Sequence, residues 1–189
     1  SGWPHHCGRA LMLAMKRGYF GVGAEGISKP MNMGAILRTA HAFGASFAFT
    51  LNASHQVRDV YRADTAKSVD HVPYYEWPDV DGLALPSNCQ LVGIELADDA
   101  VDLPSFRHPL CAAYVFGRER GSLSQDVQDR CHHIVKIPTK FCVNVSVACA
   151  ITLYDRQINF GGFPERPLMP GGPDLESLAV TTRKAGIHR

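Results

Sequence analysis

Residues 136–155 read KIPTKFCVNVSVACAITLYD, and the hydrophobic pattern changes period inside them. Ile134, Val135, Lys136 and Ile137 form a short β-type run that Pro138 stops. After the polar pair Thr139 and Lys140, the residues Val147, Ile151, Tyr154 and Ile158 recur at the spacing of one helix face. A strand, a tight loop and an amphipathic helix in so short a stretch point to an α/β protein, which presents ligand sites at the carboxyl edge of its sheet. Asn144 and Ser146 interrupt an otherwise apolar segment beside Cys142. Two readings fit them: Asn144 caps the helix while Ser146 satisfies a first-turn donor, or both belong to a site.

The rest of the chain continues the alternation. Gly18–Gly23 reads as a first strand, and Pro30 biases Lys29 away from helix. Asn32 is the expected N-cap of a helix from Met33 to Phe43, closed by Gly44. Its apolar face is Met33, Ile36, Leu37, Ala40 and Phe43, which turns Arg38 to the far side among Gly34, Ala35 and Ala42. Ser46–Leu51 reads as a strand with Phe47, Phe49 and Leu51 alternating, Arg58–Ser68 as a polar helix and His71–Tyr75 as a strand. Pro78–Leu85 reads as a short helix. Cys89–Leu96 and Leu110–Phe116 are continuous apolar runs of the kind buried parallel strands show. Ser124 caps a further helix with Asp126 in its first turn, and residues 133–137 form a strand before the long helix. The expected division is a leader at 1–16, a domain at 17–160, and a Pro/Gly linker with a basic tail at 161–189. The expected fold is α/β, a mainly parallel sheet with helices on both faces.

Charge narrows the partners. Lys and Arg total 19 against 18 Asp and Glu, so the chain lacks the basic excess of a protein that binds by neutralising phosphates. Any RNA contact must come from local clusters or from a patch doubled in a dimer. The six cysteines show no zinc-type pairing, which points to reduced core thiols, no metal and a cytoplasmic setting. The longest apolar runs are too short to span a membrane. GVGAEG at Gly21–Gly26 does not fit a dinucleotide fingerprint, because its third glycine comes one position early.

Three blocks stand out in order: NMGAILRTAHAFG at 32–44, FGRERGSLS at 116–124, and IP followed by FCVNVSVA. Together, over roughly Tyr19 to Asp155, they resemble the SpoU/TrmH group of the SPOUT methyltransferases. The resemblance implies transfer of a methyl group from S-adenosyl-L-methionine (AdoMet) to a ribose 2′-hydroxyl of tRNA or rRNA, by a homodimer whose C-terminal segment forms a trefoil knot. It also implies catalytic roles for Arg38, Asn32, Glu119 and Asn144, and cofactor contacts from Leu96, Gly117, Ile137, Cys142, Val143 and Asn144. Arg38 suits a cation that steadies an alkoxide better than a base, since a guanidinium does not give up its proton near neutrality. Three positions depart from the family pattern: Ser122 and Cys142 stand where Gly and Ser are usual, and Val143 where Leu is usual. The alternative is a SPOUT-like RNA-binding protein without turnover, against which the intact Asn32, Arg38, Glu119 and Asn144 argue.

Overall fold

A computed structural model describes residues 18–59, 72–118 and 121–161. In chain order the elements are β1 (Tyr19–Glu25), α1 (Pro30–Phe43), β2 (Phe47–Leu51), β3 (Tyr74–Trp77), β4 (Gln90–Ile94), β5 (Val101–Asp102), β6 (Cys111–Phe116), α2 (Gln125–Arg130), β7 (His133–Lys136) and α3 (Val145–Phe160). The strands form one seven-stranded sheet in the order β3-β2-β1-β6-β4-β7-β5. Every pairing is parallel.

The two central strands explain the continuous apolar runs. Alternate residues of β6 go to opposite faces, with Ala112, Tyr114 and Phe116 in one core and Ala113 and Val115 in the other. The first core lies under α1 and α3, whose Met33, Ile36, Ala40, Cys149 and Leu153 join it. The second gathers Phe47, Phe49, Leu51, Leu91 and Leu123 beneath Val127 of α2. Helices thus cover both faces, as expected. In β2 both sets of residues are buried, not only the alternating Phe47, Phe49 and Leu51.

Several expectations need correction. Asn32 is not the N-cap of α1. Pro30 takes the first helical position, where its missing N–H costs nothing, and Lys29 is the extended residue before it. Asn32 therefore lies inside the first turn. No helix forms over 78–85: Asp79 Oδ1 accepts from Gly82 N at 2.9 Å, and Leu83 N donates to Val80 O at 3.2 Å, so the segment is a turn. The third strand begins at Tyr74, later than expected. Residues 55–59 are helical, but most of the expected Arg58–Ser68 helix lies outside the described residues. So do the leader at 1–16 and nearly all of 161–189.

On α3 the apolar stripe read from the helical spacing is not the packed one. Val147, Ile151 and Tyr154 face outward, with Tyr154 58% exposed. The buried face is Val145, Ala148, Cys149, Thr152, Leu153 and Arg156. The sequence carries two stripes of helical period, and the one with small residues packs because Ala148 and Cys149 let α1 approach closely.

That packed face ends in a polar cluster at the amino edge of the sheet. Arg156, 2% exposed, donates to Pro109 O at 2.7 Å, Leu110 O at 3.0 Å and Tyr114 Oη at 2.9 Å. Its guanidinium also lies over the rings of Phe20 and Phe160. His108 meets Tyr114 Oη at 2.6 Å through Nδ1 and Asp155 Oδ2 at 3.0 Å through Nε2. Burial pushes the His108 imidazole below its ordinary 6.5, against the pull of Asp155, and pushes the Tyr114 hydroxyl up to about 12.

The position of β7 decides the shape of the opposite edge. Val135 pairs with Ile94 of β4 on one side and Val101 of β5 on the other. Residues 95–100, which join β4 to β5, therefore cross beside β7. Glu95 N donates to Val135 O at 3.0 Å, and Lys136 Nζ donates to the carbonyls of Ala97 and Asp98 at 3.3 and 3.2 Å.

Candidate active site

At the carboxyl edge, the loops that leave β4, β6 and β7 enclose a cavity of about 260 Å³. Leu96, Gly117, Ile137, Cys142 and Val143 all line it, so the structure brings together these expected cofactor residues. Ile94, Phe116, Val145 and Ala148 complete the apolar wall, while Glu95, Arg118, Ser122 and Thr139 add polar groups. Gly117 has no side chain, so whatever it presents to the cavity is main chain. A Cβ there would sit 3.1 Å from Leu123 N and press into the loop that closes over it.

Asn144 stands at the edge of the cavity without lining it. It is the N-cap of α3: its Oδ1 accepts from Ser146 N at 2.9 Å and from Ser146 Oγ at 2.6 Å. The Ser146 hydroxyl thus donates to the cap and does not receive a first-turn N–H. Asn144 Nδ2 faces Asn32 Oδ1 at 3.5 Å, which joins the starts of α1 and α3. Two polar residues 112 positions apart are brought together in this way. Arg38 lies about 9 Å farther along α1, exposed, and is not among the cavity-lining residues. Glu119 lies outside the described residues.

Two carboxylates that sequence reasoning passed over organise the loop at 121–124. Glu95 Oε2 accepts from Leu123 N at 2.7 Å, and its Oε1 accepts from Leu96 N at 3.0 Å. Glu25, 4% exposed at the end of β1, accepts from Ser124 N at 2.8 Å. The available signal was an acidic residue directly after an apolar strand, the point at which a parallel sheet meets its ligand loops. Gly26 follows Glu25 with φ +60°, and a Cβ there would lie 2.7 Å from Arg118 Nε. That close approach seats the loop after β6 on the loop after β1.

Burial pushes the thiols of Cys89, Cys131 and Cys149 up to about 12, which leaves them protonated and inert. Cys142 differs: it is exposed and lines the cavity. Among the described residues no cluster of His, Cys, Asp or Glu could hold a metal ion, and no helix is long and apolar enough to cross a membrane. The donor set is main chain, apolar walls and a few polar side chains, with Glu95 and Arg118 among them. That fits a nucleoside with an aliphatic tail.

Comparison with known proteins bears on this arrangement. A Staphylococcus aureus (strain COL) protein named for the TrmH family of tRNA/rRNA methyltransferases is 30% identical over 141 residues, covering 69% of this chain and 55% of that protein. The 23S rRNA (guanosine-2′-O-)-methyltransferase RlmB of Coxiella burnetii is 29% identical over 142 residues, covering 70% of this chain and 56% of RlmB. The chain thus spans about half the length of the curated relatives it matches. The structure of the SpoU methyltransferase AviRb from Streptomyces viridochromogenes, in complex with the cofactor AdoMet, shares the fold. Its TM-score is 0.66 at 21% identity, over 80% of this chain and 62% of AviRb. A family model described as SpoU rRNA Methylase matches residues 20–154, from β1 into α3 and so across every wall of the cavity. This chain belongs to the SpoU rRNA methylase family.

Proposed function

We propose that this chain is the catalytic domain of an AdoMet-dependent RNA methyltransferase that acts on a ribose 2′-hydroxyl of tRNA or rRNA. The observation that carries the reading is the cavity at the carboxyl edge, lined by Leu96, Gly117, Ile137, Cys142 and Val143 with Asn144 at its margin. Its size is near the low end of small-molecule sites, roughly 300–1,000 Å³. When bound, AdoMet supplies an electrophilic methyl group on a sulfonium. The chain's own part is to hold that group in line with the acceptor oxygen and to exclude water from the path.

Apolar residues Ile94, Ile137, Val143 and Val145 suit the faces of an adenine, and the main chain at Gly117 suits its polar edge. Asn144 and Asn32 place two amides where the third sequence block meets the first. Arg38 serves as the cation that binds the target phosphate and steadies the developing alkoxide. The hydroxyl proton leaves to water or phosphate, since a guanidinium does not give up its own proton near neutrality. Glu119 is proposed to orient Arg38.

The outward stripe of Val147, Ile151 and Tyr154 supports a homodimer in which α3 faces the partner, because exposed apolar side chains grouped on one helix mark association surfaces. The insertion of β7 between β4 and β5 supports the trefoil threading the resemblance implies.

The reading is tested by titrating AdoMet calorimetrically into the purified protein and mapping ribose methylation by mass spectrometry in total RNA from cells with and without the gene. Binding, together with a ribose methyl group that disappears with the gene, is the expected result. Absence of AdoMet binding by a folded protein overturns the enzyme reading. Binding with no lost methyl group favours the RNA-binding alternative.

A further inference from the structure

We propose that Glu95 is a positioning residue of the donor pocket, holding two of its walls at a fixed separation by accepting one main-chain hydrogen from each. The inference rests on the proposed donor site. Glu95 itself lines the cavity. One carboxylate oxygen takes the N–H of Leu96, on the wall that follows β4, at 3.0 Å. The other takes the N–H of Leu123 at 2.7 Å, directly after Gly121 and Ser122, which form the wall that follows β6.

These walls have no ladder between them, because β4 and β6 end at Ile94 and Phe116 and their pairing stops there. Beyond that point the carboxylate of Glu95 is a bridge where backbone pairing has run out. Glu25 reinforces the far side of the same loop by accepting from the next amide, Ser124 N, at 2.8 Å. Consecutive amides are thus held by carboxylates from two different strand ends. The buried side chain of Leu123 keeps the loop in place overall. What Glu95 sets is therefore the width of the cavity and not whether the loop folds.

The geometry makes a graded prediction. Both oxygens are in use, so Glu95→Gln keeps one acceptor and turns an N–H donor toward the other amide, whereas Glu95→Ala removes both acceptors. Glu95→Ala is expected to weaken AdoMet binding about tenfold or more, with Glu95→Gln in between. The KM for AdoMet should rise in step, while kcat changes far less. In protein without AdoMet, hydrogen exchange should quicken at the amides of both Leu96 and Leu123 in Glu95→Ala, and at one of them in Glu95→Gln.

A folded Glu95→Ala protein with wild-type AdoMet affinity and unchanged exchange at both amides overturns the inference. So does a loss confined to kcat, which would place Glu95 at the chemical step. Failure of the wild-type protein to bind AdoMet would defeat the proposed function instead, and the exchange measurement would still decide whether the bridge exists.

Discussion

At the amino edge of the sheet, Arg156, Tyr114, His108 and Asp155 bind one another and the carbonyls of residues 109 and 110 in a cluster from which solvent is largely excluded. At the carboxyl edge, Glu25 and Glu95 bind main-chain hydrogens of a loop whose neighbours Gly121, Ser122 and Cys142 open onto a cavity. The same helix, α3, runs from one edge to the other. Its first residues border the cavity, and its fourth turn carries the buried arginine. The difference shows how the work is divided. Side chains anchor the helix at the far end, which leaves main chain free to be offered at the near end.

The comparison can be broken most sharply at Arg38. Arg38→Ala should lower the single-turnover methylation rate by roughly 10²–10⁴ with AdoMet affinity nearly unchanged and no loss of stability, since the side chain is exposed and outside the cavity lining. Arg38→Lys should recover only part of the rate, because it keeps the charge and loses the planar fork. A wild-type rate in Arg38→Ala would make it an ordinary surface arginine.

The amino edge should behave in the opposite way. Arg156→Met removes the donors to two carbonyls and to Tyr114 and should cost about 3 kcal/mol. For a domain of this size that is a fall in Tm of about 6–12 °C. AdoMet affinity measured well below the new Tm should stay within about twofold, because Arg156 sits about two to three turns along α3 from the residues that border the cavity. Calorimetric melting beside an AdoMet titration checks both halves.

A smaller effect distinguishes the edges by pH. The groups facing His108 are Tyr114 from β6 and Asp155 and Arg156 from α3, and burial holds its folded pKa below 6.5. Below about pH 6.5 the unfolded chain therefore binds more protons than the folded one, and stability falls as pH drops until the folded pKa is reached. The slope contributed is at most about 1.4 kcal/mol per pH unit. Urea unfolding at pH 7.5, 6.5 and 5.5 should show it in the wild type, and His108→Gln should flatten it. The smallest change belongs to Cys142→Ser, which should leave kcat/KM unchanged or raise it by less than about threefold. A collapse of activity would show that the thiol has a role of its own.

Much of the fold was legible because burial on both faces writes itself into sequence as unbroken apolar runs, as in LVGI of β4 and AAYVF of β6. The cavity was legible mainly through the second and third of the ordered blocks, which name part of its lining without its supports. Glu95 was overlooked because its value lies in two amides, one of them 28 residues away, and no local spacing records that. His108 and Asp155 are 47 residues apart and equally silent. For α3 the period was legible but the packed face was not, since helical spacing says that a stripe exists and not which of two stripes finds a partner. Asn32 shows the same limit at smaller scale. A good capping residue loses its place to a proline two positions earlier.

The place of β7 carries a consequence for how the protein is made. Strands β4 and β5 are synthesised first, yet neither is the other's neighbour, and the gap between them waits for residues 133–136. A nascent chain that has emerged only through β6 has an unfilled seat inside its sheet, and its cavity lacks the walls that residues 137–148 provide. Such late, non-local pairing is slow by nature. A product cut short before α3 carries Arg38 of the first block but lacks Val145 and Ala148 of the cavity wall and the helix whose buried face joins the first core.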